Sequence, residues 1–259
     1  MLKNIKINRL KMKLIIVLLG VFILSASFIL FQLQSRIAGK AAYEAARMIY
    51  YEEPDHEITE PEANNELQQT VMPAIAALRE VNPEIIGWIR IPDTNIDYPV
   101  VQGEDNLYYL DHSWDRQKSR PGAIFMDYRN NPSGFENASH TILYGHHMRD
   151  QSMFHNLILY KDELFFEENP VILISDLYET HTFEIFSAYV TTTDFYYIET
   201  EFPTADDYLQ FLELIRNKSH HNREIALSKQ DHLLTLSTCT YESSDARFVI
   251  HARRVETLD

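Results

Sequence analysis

Apolar and polar positions along this chain follow three different patterns. From Leu14 to Leu33, LIIVLLGVFILSASFILFQL, twenty consecutive residues carry no charge. At ~1.5 Å rise per residue such a run spans roughly 30 Å, the hydrocarbon thickness of a bilayer, and it predicts one transmembrane helix. Between Ala41 and Pro83 the pattern is helical and interrupted: AAYEAARMIYYEE, a Pro- and acid-rich stretch around Pro54 to Pro61, then Glu62 to Val81. In that last segment Leu67, Val71, Ala74, Ile75 and Leu78 recur at helical spacing, an apolar stripe suited to lie on a larger domain. It reads as a packing appendage, although a stalk holding the domain off a membrane fits the same spacing.

After Pro83 the chain changes to short runs rich in Ile, Val, Tyr and Phe, broken by Gly, Pro, Asn and Asp, the pattern of a barrel or sandwich. The predicted strands are Ile86–Ile91, Ile96–Val101, Ala123–Asp127, Thr141–Tyr144, Val171–Ser175, Thr182–Thr191, His232–Thr238 and Phe248–Arg253. Eight strands without regular intervening helices predict a mainly β fold with one closed antiparallel sheet. The exception is Thr204 to Lys218. There Thr204, with Asp207 three residues on, forms a capping-box pattern after Pro203, and Tyr208, Phe211, Leu212 and Ile215 mark one apolar face.

Charge changes the picture at the N-terminus. Residues 1 to 36 hold Lys3, Lys6, Arg9, Lys11, Lys13 and Arg36 and no acid, so the remainder of the 259 residues carries 17 basic against 38 acidic side chains. The cationic tail favours retention on the cytoplasmic side and places the body outside the cell. A cleaved signal peptide is the competing reading, since Ser25, Ala26 and Ser27 are small, but the apolar run continues past them and exceeds the ~7–15 residues of a signal h-region. The expected layout is a cytoplasmic tail (1–13), an anchor (14–33), a helical stalk or appendage (34–82) and a β-barrel (83–259). A strongly acidic body argues against nucleic acid as a partner.

The chain has a single Cys, which excludes an intramolecular disulfide in an exported body. Cys239 is thus either buried and inert or kept for reactivity. It closes the strand-like run LLTLSTC ahead of the polar loop Thr240–Ala246. His146 lies just past ILYG, where Gly145 is expected to permit a sharp turn, and Arg247 opens the strand FVIHA. A strand-end Cys, His and Arg are what acyl transfer by a thiol requires: a nucleophile, a proton carrier and a positive fork for a developing oxyanion. The pairs His146–His147 and His220–His221 suggest a metal at first sight. Neighbouring residues on an extended segment point to opposite faces, however, and no His-Glu-x-x-His spacing exists, so no metal is expected.

At these residues the sequence closely resembles a class B sortase, a cysteine transpeptidase of Gram-positive bacteria. The resembling segments are IIGWIRIPDTNIDYPVVQGEDNLYYLDH, GAIFMDYRNN, TILYGHHMRDQSMFHNL, and TLSTC followed by RFVIHA, from about Asn82 to the end. The resemblance implies an eight-stranded sortase-type β-barrel with N-terminal helices and one long helix before the Cys strand. It implies Cys239 as nucleophile, His146 as general acid/base, and Arg247 as the residue that orients substrate and stabilises the oxyanion. For the sorting-signal groove it implies Asn106, Leu110, Thr193, Tyr197, Ile198 and Ser237, although Asn106 could equally be a turn residue and Tyr197 a core aromatic. His147 departs from the Asn common at that position, and the loop between Cys239 and Arg247 is short for the class. The implied partners are surface proteins bearing a C-terminal sorting signal, a peptidoglycan precursor amine, and the membrane through the N-terminal helix; no cofactor is implied. Polymerisation of pilin subunits, or a non-catalytic membrane-anchored binding module, are the alternative functions.

Overall fold

A computed structural model of the chain describes residues 2–52, 70–131, 135, 139–221, 223–239 and 245–255. Helix α1 runs from Leu2 to Tyr51. The chain divides into two compact units, Met1–Ala41 and Ala42–Asp259. In the first, Lys11–Leu30 is apolar and long enough to cross a membrane, and large side chains such as Leu18, Phe22 and Leu24 are exposed. The Pro- and acid-rich stretch Pro54–Pro61 and Leu67 lie outside the described residues.

In the second unit, helix α2 (Pro73–Val81) starts with Pro at its first position, where the missing N–H costs no hydrogen bond. Ile75 and Leu78 of its apolar stripe are fully buried in the main core, so this helix packs on the barrel. Val71 precedes the helix and is only half-buried. The C-terminal part of α1 packs there too: Tyr43 and Ala46 are buried in the same core, and Tyr50 stacks on Trp88 at 4.2 Å between ring centroids.

All eight predicted strands form: β1 (Ile85–Arg90), β2 (Asp97–Val101), β3 (Ile124–Met126), β4 (His140–Tyr144), β5 (Val171–Ser175), β6 (Thr180–Thr192), β7 (Leu233–Cys239) and β8 (Ala246–Val255). They close into a barrel in the order β1-β2-β3-β4-β7-β8-β6-β5. The expectation of an all-antiparallel sheet is wrong at two seams, because β2 pairs with β3 and β4 pairs with β7 in parallel. Alternation of apolar residues tells which face of a strand is buried, and carries nothing about the direction of its neighbour. Short helical turns absent from the sequence reading also occur, a 3-10 segment Phe154–Lys161 and helix α3 (Glu163–Glu168). Helix α3 is capped by Asp162, whose carboxylate accepts from the Phe165 N–H at 2.9 Å.

Helix α4 (Ala205–Asn217) forms as its pattern predicts. The Thr204 hydroxyl accepts from the Asp207 N–H at 3.1 Å and donates to the Asp207 carboxylate at 2.7 Å. Its buried residues are Tyr208, Phe211, Leu212 and Ile215, which join Phe186, Tyr189, Tyr197, Leu233 and Val249 in a second core outside the barrel wall. Alternate residues of β7 and β8 therefore serve two cores, since Leu234, Leu236, Phe248 and Ile250 face the barrel interior.

A buried hydrogen-bonded chain runs through this outer layer. His140 Nδ1 lies 2.5 Å from the Glu199 carbonyl, its Nε2 2.6 Å from Thr235 Oγ1, Thr235 Oγ1 2.7 Å from His251 Nδ1, and His251 Nε2 2.8 Å from the Tyr189 hydroxyl. A carbonyl only accepts, so with neutral rings each donor and acceptor has one assignment: His140 donates to Glu199, Thr235 to His140, His251 to Thr235 and Tyr189 to His251. Burial pushes His140 down from the usual 6.5 to about 4, and burial together with His140 pushes His251 well below that usual value. Below pH 6.5 the unfolded chain then binds more protons than the fold. Stability is present above that pH and falls as pH drops towards 4, by about 1.4 kcal/mol per pH unit for each imidazole. Thermal denaturation of the barrel between pH 7.5 and 4.5 is expected to show this slope, and His140→Gln is expected to lose one imidazole's share of it. A flat profile from 6.5 to 5 contradicts the assignment.

Candidate active site

The parallel pairing of β4 with β7 sets Tyr144 opposite Ser237, and the Gly145 N–H donates to the Ser237 carbonyl at 3.3 Å. Two residues beyond this pair come His146, just past the end of β4, and Cys239, the last residue of β7, at the same end of the barrel. Strand β8, antiparallel to β7, makes Arg247 the direct ladder partner of Cys239, a relation that sets Cα atoms roughly 4.5–5.5 Å apart. Three adjacent strands thus deliver the three residues that the motif picked out.

Gly145 serves this arrangement differently from the expectation. Its φ is not positive; instead, an added Cβ would lie 2.5 Å from Ile124 Cδ1 and 2.8 Å from Phe154 Cδ2. The glycine is there for close packing of the chain as it leaves β4.

His146 is half-buried, and its Nε2 lies 2.6 Å from the Leu110 carbonyl oxygen. Because a carbonyl cannot donate, Nε2 carries the hydrogen, and the neutral ring keeps its lone pair on Nδ1. Leu110 is itself held by a tight approach: Gly122, at φ +61°, leaves no room for a Cβ, which would fall 2.7 Å from that carbonyl oxygen. The neighbouring His147 ring instead packs edge-on to His155 at 4.5 Å. Arg247 is half-buried, and its Nη1 donates to the Ala246 carbonyl at 3.2 Å.

The six residues expected to bind substrate fall around this strand end with different partners. Asn106 Nδ2 donates to Asp127 Oδ2 at 3.1 Å, while its Oδ1 accepts from the Tyr128 N–H at 3.0 Å, so it ties two segments together and does not merely turn its own. The Leu110 side chain is exposed. Tyr197 is buried in the outer core, with its hydroxyl 2.8 Å from Ser237 Oγ, so it is a core aromatic whose polar tip reaches β7 beside Cys239. Ile198 lends its carbonyl to Arg129 Nη2 at 3.0 Å. Thr193 stands apart from these and donates to Asp245 at 2.6 Å, just ahead of Arg247.

The sequence reading missed the group that links these segments. The Asp127 carboxylate is fully buried and accepts from Arg129 Nε and Nη2 at 2.9 and 2.8 Å, from the Tyr144 hydroxyl at 2.9 Å and from Asn106. Burial pushes this carboxyl up, but the bonds from Arg129 and Tyr144 outweigh it and hold it below the usual carboxylate range. Tyr144, raised by burial and by the Asp127 charge, stays a neutral donor. The Asp-x-Arg at a predicted strand end was the available signal; its burial was not readable.

The Sortase domain family profile matches residues 89–255. Over 93% of its length, with 95% of the relative covered, the chain is 36% identical to Sortase B of Listeria monocytogenes. A crystal structure of a Bacillus anthracis protein described as similar to sortase B superposes with a TM-score of 0.74 at 39% identity, covering 85% of this chain and 96% of that one. A Staphylococcus aureus sortase B–substrate complex superposes with a TM-score of 0.75 at 34% identity, covering 86% and 99%. With strand ladder, barrel and sequence agreeing, the chain belongs to the class B sortases, cysteine transpeptidases that anchor or process surface proteins.

Proposed function

We propose that this chain is a membrane-anchored transpeptidase that cleaves a C-terminal sorting signal after Thr and joins the surface protein to a peptidoglycan amine. The observation that carries this reading is the register of β4, β7 and β8, which brings residues 146, 239 and 247 to one strand end. The Cys239 thiol passes its proton to Nδ1 of His146, and the resulting thiolate attacks the carbonyl carbon of the signal's Thr. As the tetrahedral intermediate collapses, the C–N bond breaks, and His146 protonates the departing amine. The peptidoglycan amine then attacks the thioester, gives up a proton to His146 and releases the thiolate. The Leu110 carbonyl holds the imidazole so that Nδ1 is the nitrogen exchanging this proton, the orienting part that a carboxylate plays in other triads.

Of the six expected residues, Asn106, Leu110 and Ile198 contribute the peptide-binding face, the buried Tyr197 and Ser237 support it from the core side, and Thr193 stands apart beside Asp245. That a Staphylococcus aureus relative forms a substrate complex supports the presence of such a face. The exposed apolar helix Lys11–Leu30 is long enough to cross a membrane, as an anchor or a signal sequence would be, and the apolar run continuing past Ser27 favours the uncleaved anchor. The basic residues ahead of it favour a cytoplasmic N-terminus and an extracellular catalytic barrel, giving the layout 1–13, 14–33, 34–82 and 83–259. This location presents both substrates on the outer face of the membrane.

Arg247→Lys tests the oxyanion role. A guanidinium offers planar paired donors, whereas an ammonium is a point charge. The variant is expected to lose about 10²–10³ in turnover of a fluorogenic sorting peptide, the effect of removing one oxyanion donor. Labelling of Cys239 by a methanethiosulfonate reagent is expected to survive. Near-normal turnover shows that charge suffices, and loss of labelling moves Arg247 to activation of the thiol.

A further inference from the structure

We infer that Asp127 and Arg129 form a positioning pair that sets the spacing of the peptide-binding face, so that they govern substrate affinity and not the chemistry of the thiol. This inference rests on the transpeptidase reading above. The pair sits where three separately folded segments meet. On one side, Asp127 accepts from Asn106 of the segment between β2 and the 3-10 turn Tyr108–Leu110. Beneath, it accepts from the hydroxyl of Tyr144, the last residue of β4. On the other side, Arg129 donates from Nη1 to the Tyr196 hydroxyl at 3.0 Å and from Nη2 to the Ile198 carbonyl at 3.0 Å. Residues 196–198 precede α4, and among the described residues none of them belongs to a strand; the Tyr197 hydroxyl also bonds to Ser237 of β7.

The chemistry of the pair suits this task. A fully buried carboxylate must have its charge matched, and a guanidinium bonded through Nε and Nη2 is fixed in plane by that match. Once fixed, the same plane directs Nη1 and Nη2 at two acceptors on residues 196–198. Arg129 is thus held rigidly from the Asp127 side and passes that rigidity across. The side chain is 27% exposed, and it is flanked by the exposed rings of Tyr128 and Tyr196. Asn106 and Ile198, both assigned to the peptide face, are therefore referenced to one another through two residues that carry none of the proposed chemistry.

The experiment compares wild type, Arg129→Lys and Tyr196→Phe in steady-state cleavage of a fluorogenic peptide panel, alongside Cys239 labelling and thermal denaturation. A lysine keeps the charge next to Asp127 but cannot reach the carboxylate, the Tyr196 hydroxyl and the Ile198 carbonyl together. KM for Arg129→Lys is expected to rise about tenfold with kcat within about threefold of wild type, the signature of lost binding without lost chemistry. Labelling of Cys239 and the melting temperature are expected to stay near wild type. Tyr196→Phe removes a single hydroxyl and is expected to raise KM by about two- to threefold in the same direction; it decides the matter if Arg129→Lys folds poorly. An unchanged KM in both variants, or a fall in kcat at unchanged KM, overturns the inference while an active wild type keeps the transpeptidase reading. A wild-type protein that cleaves no member of the panel overturns both.

Discussion

Cys239→Ala is expected to abolish cleavage and transfer together, a fall of at least about 10⁴-fold, since removing the nucleophile of a covalent mechanism leaves only binding and oxyanion stabilisation. Both half-reactions pass through one thioester, so neither can persist alone. The fold is expected to remain, with stability changed by about 1 kcal/mol, because the ladder that joins position 239 to Arg247 is made by main-chain groups. Three measurements on one preparation decide it: peptide cleavage, transfer to an amine acceptor, and the thermal midpoint. Turnover above background in the alanine variant defeats the nucleophile assignment. Loss of turnover with a collapsed midpoint would show a structural role instead.

His146→Ala is the second large effect, with an expected loss of about 10²–10⁴ in turnover, the range for a positioned general acid/base. His147→Ala is expected to cost less than about tenfold. The structure separates the two adjacent rings: His146 bonds to the Leu110 carbonyl, whereas His147 packs on His155 and its backbone bridges to Met153 of the following loop. If the His147 variant is the inactive one, the assignment of the acid/base moves by one residue and the Leu110 carbonyl loses its orienting role. Restoration of His146→Ala turnover by added imidazole would mark the defect as chemical.

How much of this was legible in advance depends on whether the determining forces are local. Helix α4 was readable in full because its cap, Thr204 with Asp207, and its apolar face, Tyr208 to Ile215, are interactions between residues three and four apart. The eight strands were readable because each is a short run rich in Ile, Val, Tyr and Phe bounded by Gly, Pro, Asn or Asp; several, such as β1, β3 and β4, are buried on both faces. Their ends moved by a residue or two where pairing, not composition, sets the limit: β6 extends to Thr180 and Thr192 because β5 and β8 pair with it that far. Helix α3 and the 3-10 segment before it were missed, since six to eight residues give too little periodicity to distinguish a helix from an apolar loop.

For the site, local sequence determined the reacting groups: a lone Cys closing a strand-like run, a His just past another, and an Arg opening a third. It also determined the apolar N-terminal helix, whose length and lack of charge need no tertiary partner to be read. Only the tertiary structure decided that β4 and β7 run parallel. Had these two neighbours been antiparallel, their C-terminal ends would lie at opposite ends of the barrel, with His146 and Cys239 far apart. Strand direction in a closed barrel follows from how all eight strands and their connections close together, a non-local condition that no single segment records. The same holds for Asp127 and Arg129: Asp-x-Arg at a strand end reads as a solvated pair, and becomes a buried hub only when Asn106, Tyr144 and residues 196–198 converge on it from distant parts of the chain.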